Sequence, residues 1–540
     1  MPLDCLVINL TRFGDLIQSQ PLFHSLHAQK LSTGLICLEN FVKAVPLLDH
    51  VEQVWSFPGP ALLRELDQDW HEAVRHLSDW LAEVESQSKA RMVLNLTSSI
   101  SARLLTRLLA GDVRTMAGFG LDHEGFGRNL GFWSTFLAST TLRRENAVFN
   151  IADMFRKMAD PLFQAGASPL GCAKLRQPAD RDLATAKRLL TDLQNPEETA
   201  PKDFIAFQLG ASSPKRQWPV GFFAKLGEIL WQRARVCPVL TGSAAEAPLA
   251  EDYARRTHTP FVSAIGKTSW PELAALLTSV RLLVSNDTGT LHLASGMQTK
   301  SVSFFLATAQ PWDTGPILPG CLTLEPDLAC HPCAFGEECK QSMRCLESIR
   351  PEPVAEIIIA YLQGASWQES VQKAPDLQAR AWESIREADG LAGLKALGSN
   401  AQSDRTLWIQ KQRSFWRHFL DALNQQSSPH SYPHSCPLSR DFVQKVNSTL
   451  ESALHILEAL SQQGEILGKS PQAGTLFLRN CDRLQTMLST LPAIRSFGYF
   501  WRELRTDYGQ DLERLLSATR LFALHLKALR DNLAHGTDYA

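Results

Sequence analysis

The chain contains no apolar run approaching the roughly 20 residues that a helix needs to cross a bilayer, which argues against a helical integral membrane protein. It also lacks a positively charged segment ahead of a long apolar core. The first residues read MPLDCLVINL, so no secretory signal is expected. An excess of one charge is missing as well: 54 Lys and Arg stand against 56 Asp and Glu, a formal net charge of −2. That balance gives no sign of a nucleic-acid binder. What is present is an ordinary globular composition, 44% hydrophobic and 20% charged over 540 residues. Such a length exceeds what one core accommodates and implies about two to four domains. Of the 11 cysteines, Cys5, Cys37 and Cys237 fall inside core-strand patterns, a usage that suits a reducing cytoplasm better than secretion. The expectation is a soluble, cytoplasmic protein.

The stretch 281–305, RLLVSNDTGTLHLASGMQTKSVSFF, reads as strand, polar turn, helix start and strand, the βαβ unit of a doubly wound sheet. In such sheets ligands lie outside the carboxyl ends of the strands, where this turn falls. The turn would present free backbone N–H groups at a helix N-terminus, a ready anion site. Asp287 and Thr288 are equally good N-cap residues, so a well-capped helix is the alternative. Earlier units repeat the pattern. Leu3–Leu10 reads as a strand running into Thr11–Asp15, where Gly14 permits a sharp turn and Asp15 stands at a helix start. Further strands are expected at Gly34–Leu38, Val54–Phe57, Arg91–Leu96 and Thr115–Phe119, with Thr97 facing the same crevice as Gly14 and Asp15. A helix over 150–165 closes an α/β domain spanning 1–165.

A second α/β domain is expected over 170–364. Its helix Asp180–Leu193 is followed by strand Phe204–Leu209 and the loop GASSPKRQW. There Lys215 and Arg216 beside Ser212 and Ser213 could bind phosphate. Pro219 starts the helix Val220–Gln232. Strand Val236–Thr241 leads to Glu246, which could accept from ribose hydroxyls or cap a helix. Strand Phe261–Ile265 leads to Gly266-Lys267-Thr268-Ser269 and the helix Trp270–Val280.

Taken in order, LTRFGDLIQSQPLFHSL (10–26), NLTSSISARLL (95–105), KRQWPVGFFAKL (215–226), LTGSAAE (240–246), IGKTSWPELAALL (265–277) and VSNDTGTLHLASG (284–296) resemble the bacterial heptosyltransferases, glycosyltransferase family 9. The likeness covers 1–364. It implies the GT-B architecture, two Rossmann-like domains facing across a cleft, with the donor held mainly by the second domain and the acceptor by the first. The implied reaction is inverting transfer from ADP-L-glycero-β-D-manno-heptose to the inner core of lipopolysaccharide, reached by peripheral association with the cytoplasmic face of the inner membrane. By position the resemblance makes Asp15 the general base, with Arg12, Gly14 and Thr97 on the acceptor side. Asp287, Thr288, Gly289 and His292 would hold the diphosphate and sugar, Glu246 the ribose, and Lys267 with Thr268 would lie near the adenine. Asp287 would repel phosphate, so it is assigned to sugar hydroxyls or to orienting the loop, and His292 could instead be a core-packed histidine. The family usually carries Lys two positions before the Trp of the KRQW loop, where this chain has Arg216, with Lys215 one earlier. Either could contact phosphate. No cofactor is implied for catalysis, since cations and helix N-terminal amides can stabilise a diphosphate leaving group. Two other readings stand beside this one: the same transfer to a protein acceptor, autotransporter or flagellar, and a nucleotide-sugar-binding protein without transferase activity.

Cys330-x2-Cys333-x5-Cys339-x5-Cys345, with His331 alongside, could supply a structural zinc or iron site, or could be reduced thiols or a redox-labile disulfide. After a helix Glu352–Leu362, residues 365–540 read as an α-helical accessory domain of about three to five helices. Within it 364–403 reads as helix plus linker, and the helices expected are Ser403–Gln425, Asp441–Ser461, Thr475–Leu488 and Asp511–Leu533. QSSPHSYPHSCP, 426–437, reads as a polar linker, although His430, His434 and Cys436 are potential ligands. The aromatic and basic segment Trp408–His418 is either core or a docking surface for a membrane or partner.

Overall fold

The computed structural model describes residues 2–112, 114–141, 143–163, 173–195, 197, 200–425, 438–467, 471–509 and 511–535. The chain divides into two compact units, one of residues 1–97, 108–116 and 149–398, the other of 98–107, 117–148 and 399–540.

The strands are, in chain order, β1 (Cys5–Asn9), β2 (Thr33–Leu38), β3 (Gln53–Phe57), β4 (Met92–Asn95), β5 (Thr115–Leu121), β6 (Gly127–Leu130), β7 (Leu193–Gln194), β8 (Asp203–Gln208), β9 (Val236–Thr241), β10 (Phe261–Ser263), β11 (Leu282–Asn286), β12 (Ser301–Phe304), β13 (Leu322–Pro326), β14 (Ala379–Arg386) and β15 (Ala392–Leu397). In the first unit β3, β2, β1 and β4 lie side by side and parallel, with Cys5 opposite both Thr33 and Met92. Every residue of β1 is buried, as its uninterrupted apolar run requires in a parallel sheet covered on both faces. The chain leaves β1 toward β2 on one side and returns to β4 on the other, so β1 and β4 bound a topological switch point.

The same unit holds a nine-stranded sheet of order β15-β14-β13-β12-β11-β8-β9-β10-β7. Its central strands are parallel, and β7, β14 and β15 pair antiparallel at the edges. Here the switch point lies between β8 and β11. The loops that follow these two strands are GASSPKRQW and NDTGT, and they end on one rim. A core of Phe207, Trp218, Phe223, Leu226, Val284 and Phe304 sits under them, with Trp218 stacked on Phe304 at 4.1 Å.

Several boundaries differ from the sequence reading. The segment 364–403, read as helix plus linker, contains the helix Trp367–Gln372 and then β14 and β15, which extend the second sheet. The strand β14 is held by a buried partner: Arg380 Nε donates to Glu325 Oε1 at 2.9 Å, and Trp382 Nε1 donates to the same oxygen at 3.1 Å. The helical region therefore starts after Gly398, not after Gly364. The helix expected over 150–165 stops at Lys157 and gives way to a turn at Asp160–Leu162, because Pro161 cannot continue it; 164 and 165 lie outside the described residues.

The second unit contains the helices Asp404–Gln425, Arg440–Gly464, Pro471–Thr490, Arg495–Tyr508 and Leu512–His535. It also takes in the β5–β6 hairpin from Ala117 onward and the helix Phe132–Thr141, which the sequence reading assigned to the N-terminal domain. Phe132 stacks on Phe419 at 5.0 Å, Phe136 meets Trp416 at 5.0 Å, and Trp133 Nε1 donates to Asp421 Oδ1 at 2.7 Å. Trp408, Phe415 and Trp416 are buried, so the aromatics of Trp408–His418 are core and do not form a docking surface. His430, His434 and Cys436 lie outside the described residues. Among the described residues no helix is long and apolar enough to cross a membrane.

Candidate functional site

The loop after β1 is clamped from below by Asn9, a buried side chain at the strand's end. Its Oδ1 accepts from the backbone N–H of Thr11 at 3.3 Å and from the Thr11 hydroxyl, and its Nδ2 donates to the Asp15 carbonyl at 3.4 Å. This sets the short helix Phe13–Gln18, with exposed Arg12 at its N-cap and Asp15 in its first turn. Thr97 sits across the switch point, as its position at the end of β4 predicts. Its Oγ1 accepts from Leu10 N at 2.9 Å while its own N–H donates to Asn95 Oδ1 at 2.8 Å, so the hydroxyl ties β4 to the loop. Leu10, Thr11, Arg12, Asp15, Leu38, Asn40 and Phe41 line an open cavity of about 520 Å³.

On the other sheet, Arg216 and Asp287 form a buried ion pair through Nη2, and Arg216 Nη1 donates to Ser212 Oγ at 3.1 Å. The Nε of Arg216 is buried and has no hydrogen-bond partner among the described residues. Lys215, its neighbour, is exposed. Beneath them Asn286 joins the two rim loops: it accepts from Trp218 N at 2.8 Å and donates to the carbonyls of Leu209 and Gly210 at 2.9 and 3.1 Å. Thr288 occupies the N-cap position of the helix Gly289–Gly296, but its side chain makes no capping bond and instead meets Ser285 Oγ at 3.1 Å. Glu246 is tied into the rim, accepting from Gln208 Nε2 at 2.8 Å and from Ser243 N at 2.7 Å, and Gln208 in turn accepts from Thr290 at 2.9 Å. Asn286 and Gln208 were not singled out from sequence as site residues; a buried amide at the end of each strand of the switch-point pair was the available signal.

Lys267 stands apart from this group. Its Nζ donates to Asp192 Oδ2 at 3.0 Å in an exposed pair, and half-buried Thr268 precedes the capped start of the helix Trp270–Thr278.

The two rim loops meet. A Cβ on Gly14 would lie 3.0 Å from His292 Cδ2 and 3.3 Å from Gly289 Cα, and a Cβ on Gly289 would overlap the Phe13 ring. Only glycine at both positions allows the backbones this close. The pair brings Gly14, the residue before Asp15, against buried His292, and the sequence reading assigned these two loops to opposite sides of the cleft. Phe13 also stacks on Trp270, centroids 3.7 Å apart and planes 16° apart.

In the cysteine segment, among the described residues, no group of three or more His, Cys, Asp or Glu is arranged to hold an ion. Cys345 is buried, Cys333 partly so, and Cys330 and Cys339 are exposed, all as free thiols. Burial, reinforced by the neighbouring cysteines, pushes the Cys333 thiol up to about 11. Cys339 is shifted down, since its sulfur accepts from the N–H groups of Met343 at 3.3 Å and Gln341 at 3.4 Å. His331 is buried in the Glu325–Arg380 network and not among the thiols.

Two linked α/β sheets with loops meeting at their switch points define a GT-B fold. A glycosyltransferase from Veillonella parvula DSM 2008, assigned to family 9, matches 67% of this chain and 98% of its own with a TM-score of 0.51 at 19% identity. The ADP-heptose lps heptosyltransferase II of E. coli matches 67% of this chain and 99% of its own, TM-score 0.50 at 17% identity. In sequence, lipopolysaccharide heptosyltransferase 3 of Escherichia coli is 25% identical over 314 residues, 56% of this chain and 85% of that protein. A family model described as Glycosyltransferase family 9 (heptosyltransferase) matches residues 86–342. Over residues 86–342 the chain is thus similar to glycosyltransferase family 9, and the comparisons support a glycosyltransferase.

Proposed function

We propose that this protein transfers heptose from ADP-heptose to a hydroxyl of the lipopolysaccharide inner core with inversion, Asp15 acting as general base. The observation that supports the reading is the meeting of the two loops: Gly14 packs against Gly289 at the start of the helix Gly289–Gly296, and Asp15, the next residue, lines the cavity after β1. In the reaction the acceptor O–H loses its proton to the Asp15 carboxylate as its oxygen bonds to the anomeric carbon. The bond from that carbon to the diphosphate oxygen breaks, and the electron pair leaves with ADP. The N–H groups at the start of Gly289–Gly296, with Thr288 and His292, stabilise the departing charge.

Arg216 is held by Asp287, so its role is to shape the loop and present its remaining N–H, while exposed Lys215 supplies the mobile charge for phosphate. Asp287 thus orients the loop. Glu246, already poised on Gln208 and Ser243, accepts from the ribose hydroxyls, and Lys267 with Thr268 borders the base. Arg12, Gly14 and Thr97 frame the acceptor. Because the acceptor is lipid-linked, the protein works at the cytoplasmic face of the inner membrane as a peripheral protein. The test is ADP release from ADP-heptose with truncated core acceptors, against UDP- and GDP-sugars and against protein acceptors. Turnover with the core acceptor alone is the result expected; turnover only with a protein, or with another nucleotide sugar, overturns the assignment.

A further inference from the structure

We propose that the Phe13–Trp270 stack is a latch that positions Asp15 against the donor loops, an inference that rests on reading Asp15 as the base. Phe13 lies two residues before Asp15 and is buried, although it belongs to an exposed rim loop. Its ring has three neighbours, and its edge occupies the space that a Cβ on Gly289 would take. Trp270 stacks on it at 3.7 Å, Gly289 lies against its edge, and Phe41 meets it at 6.1 Å. Each contact leads to a different part of the site. Phe41 lines the cavity that holds Arg12 and Asp15. Gly289 opens the helix that carries His292. Trp270 is the first residue of a helix fixed by the Ser269–Glu272 capping box, in which Ser269 N donates to Glu272 Oε2 at 2.8 Å, directly after Gly266–Thr268.

The short helix Phe13–Gln18 is anchored at its far end by buried Leu16, Ile17 and Gln18, which leaves Phe13 to fix its start. It is a turn and a half long, below the length at which a helix is stable by itself, and Arg12 makes no side-chain cap. At the helix start, where Asp15 stands, the backbone is held by Asn9 from the strand end and by the aromatic stack. A stacked aromatic pair adds a modest stabilisation beyond the area it buries, enough to bias a loop but not to decide whether the chain folds. Phe13 and Trp270 are therefore positioning residues, which act through the loop that carries Asp15.

Two readouts on the full-length protein test this. In turnover, Trp270→Ala should lower kcat by roughly 10- to 100-fold, the scale of a misplacement near 1 Å. ADP affinity, titrated directly, should stay within about threefold, and Trp270→Phe, which can still stack, should recover most of the rate. In amide hydrogen exchange without substrate, Trp270→Ala should speed exchange across Phe13–Gln18 and leave Gly289–Gly296 unchanged. Unchanged exchange and kcat in Trp270→Ala, or a loss of ADP affinity in step with kcat, overturns the latch. A wild-type protein that releases no ADP from any acceptor sinks the transferase reading instead, while the exchange measurement still decides the latch.

Discussion

Arg216 and Asp287 form a buried ion pair on the rim after β8 and β11, and removing one charge strands the other in a buried site. Arg216→Ala should destabilise the protein by about 3–5 kcal/mol, seen as a fall in Tm, before any effect on phosphate contact is considered. Lys215→Ala should leave Tm unchanged, because the residue is exposed, and raise the KM for the donor. The opposite pattern, a silent Arg216→Ala and a destabilising Lys215→Ala, would show the ion pair has been given the wrong job. Sequence made both cations visible and could not choose between them, since the partner that distinguishes them lies 71 residues away. Asp287 was legible as a residue that would not bind phosphate, on charge alone; its guanidinium partner was not. The same holds for Glu246, whose position at the end of β9 was readable but whose bond to Gln208 joins residues 38 apart.

At the scale of elements, the helix Phe132–Thr141 and the β5–β6 hairpin are built into the helical unit. Asp507 is the junction: its carboxylate accepts from Asn129 N at 2.9 Å, Asn129 Nδ2 at 3.1 Å and Thr135 Oγ1 at 2.9 Å. Asp507→Ala leaves three donors unsatisfied and should cost about 1–3 kcal/mol or more in urea unfolding. A chain ended after Gly398 should leave Phe132, Trp133 and Phe136 without partners and aggregate, visible by size-exclusion chromatography; a soluble monomer would mean that 117–148 packs well without the C-terminal helices. Burial pushes the Asp507 carboxyl up to about 6, above its unfolded value near 3.9. Its contribution is therefore full below about pH 4 and is lost as pH rises through 6. Burial pushes His525 the other way, down to about 4 with His418 adding to it, so its contribution is present above about pH 6.5 and is lost as pH falls toward 4. Asp507→Asn should thus remove a loss of stability between pH 4 and 6, and His525→Phe a loss on acidification, each read as a change in the urea midpoint against pH.

Long apolar strands and capped helices were readable because local pattern fixes them. The hairpin β14–β15 was not, since Ala379–Arg386 becomes a strand through the edge of β13 and the buried Glu325, and neither is local to it. The sharing of 117–148 with the C-terminal helices was equally invisible, because an aromatic face such as that of Phe132–Thr141 reads the same whatever covers it.

Across the whole molecule, two sheets of separate origin in the chain bring their switch points into register, and that arrangement is what a transfer reaction between a nucleotide sugar and a hydroxyl needs. ADP should bind to the folded protein alone and raise its stability by about 2.7 kcal/mol at 100 times its Kd, measured as a thermal shift absent with UDP. The cysteine segment adds no ion-binding group among the described residues, and thiol-labelling rates should separate exposed Cys330 and Cys339 from buried Cys5, Cys37, Cys237, Cys321 and Cys481. The most direct test of the account is Asp15→Asn, assayed for ADP release and for ADP binding on the same preparation. A fall in kcat of about 100-fold or more with ADP affinity unchanged is the result predicted; full turnover by the variant would contradict it.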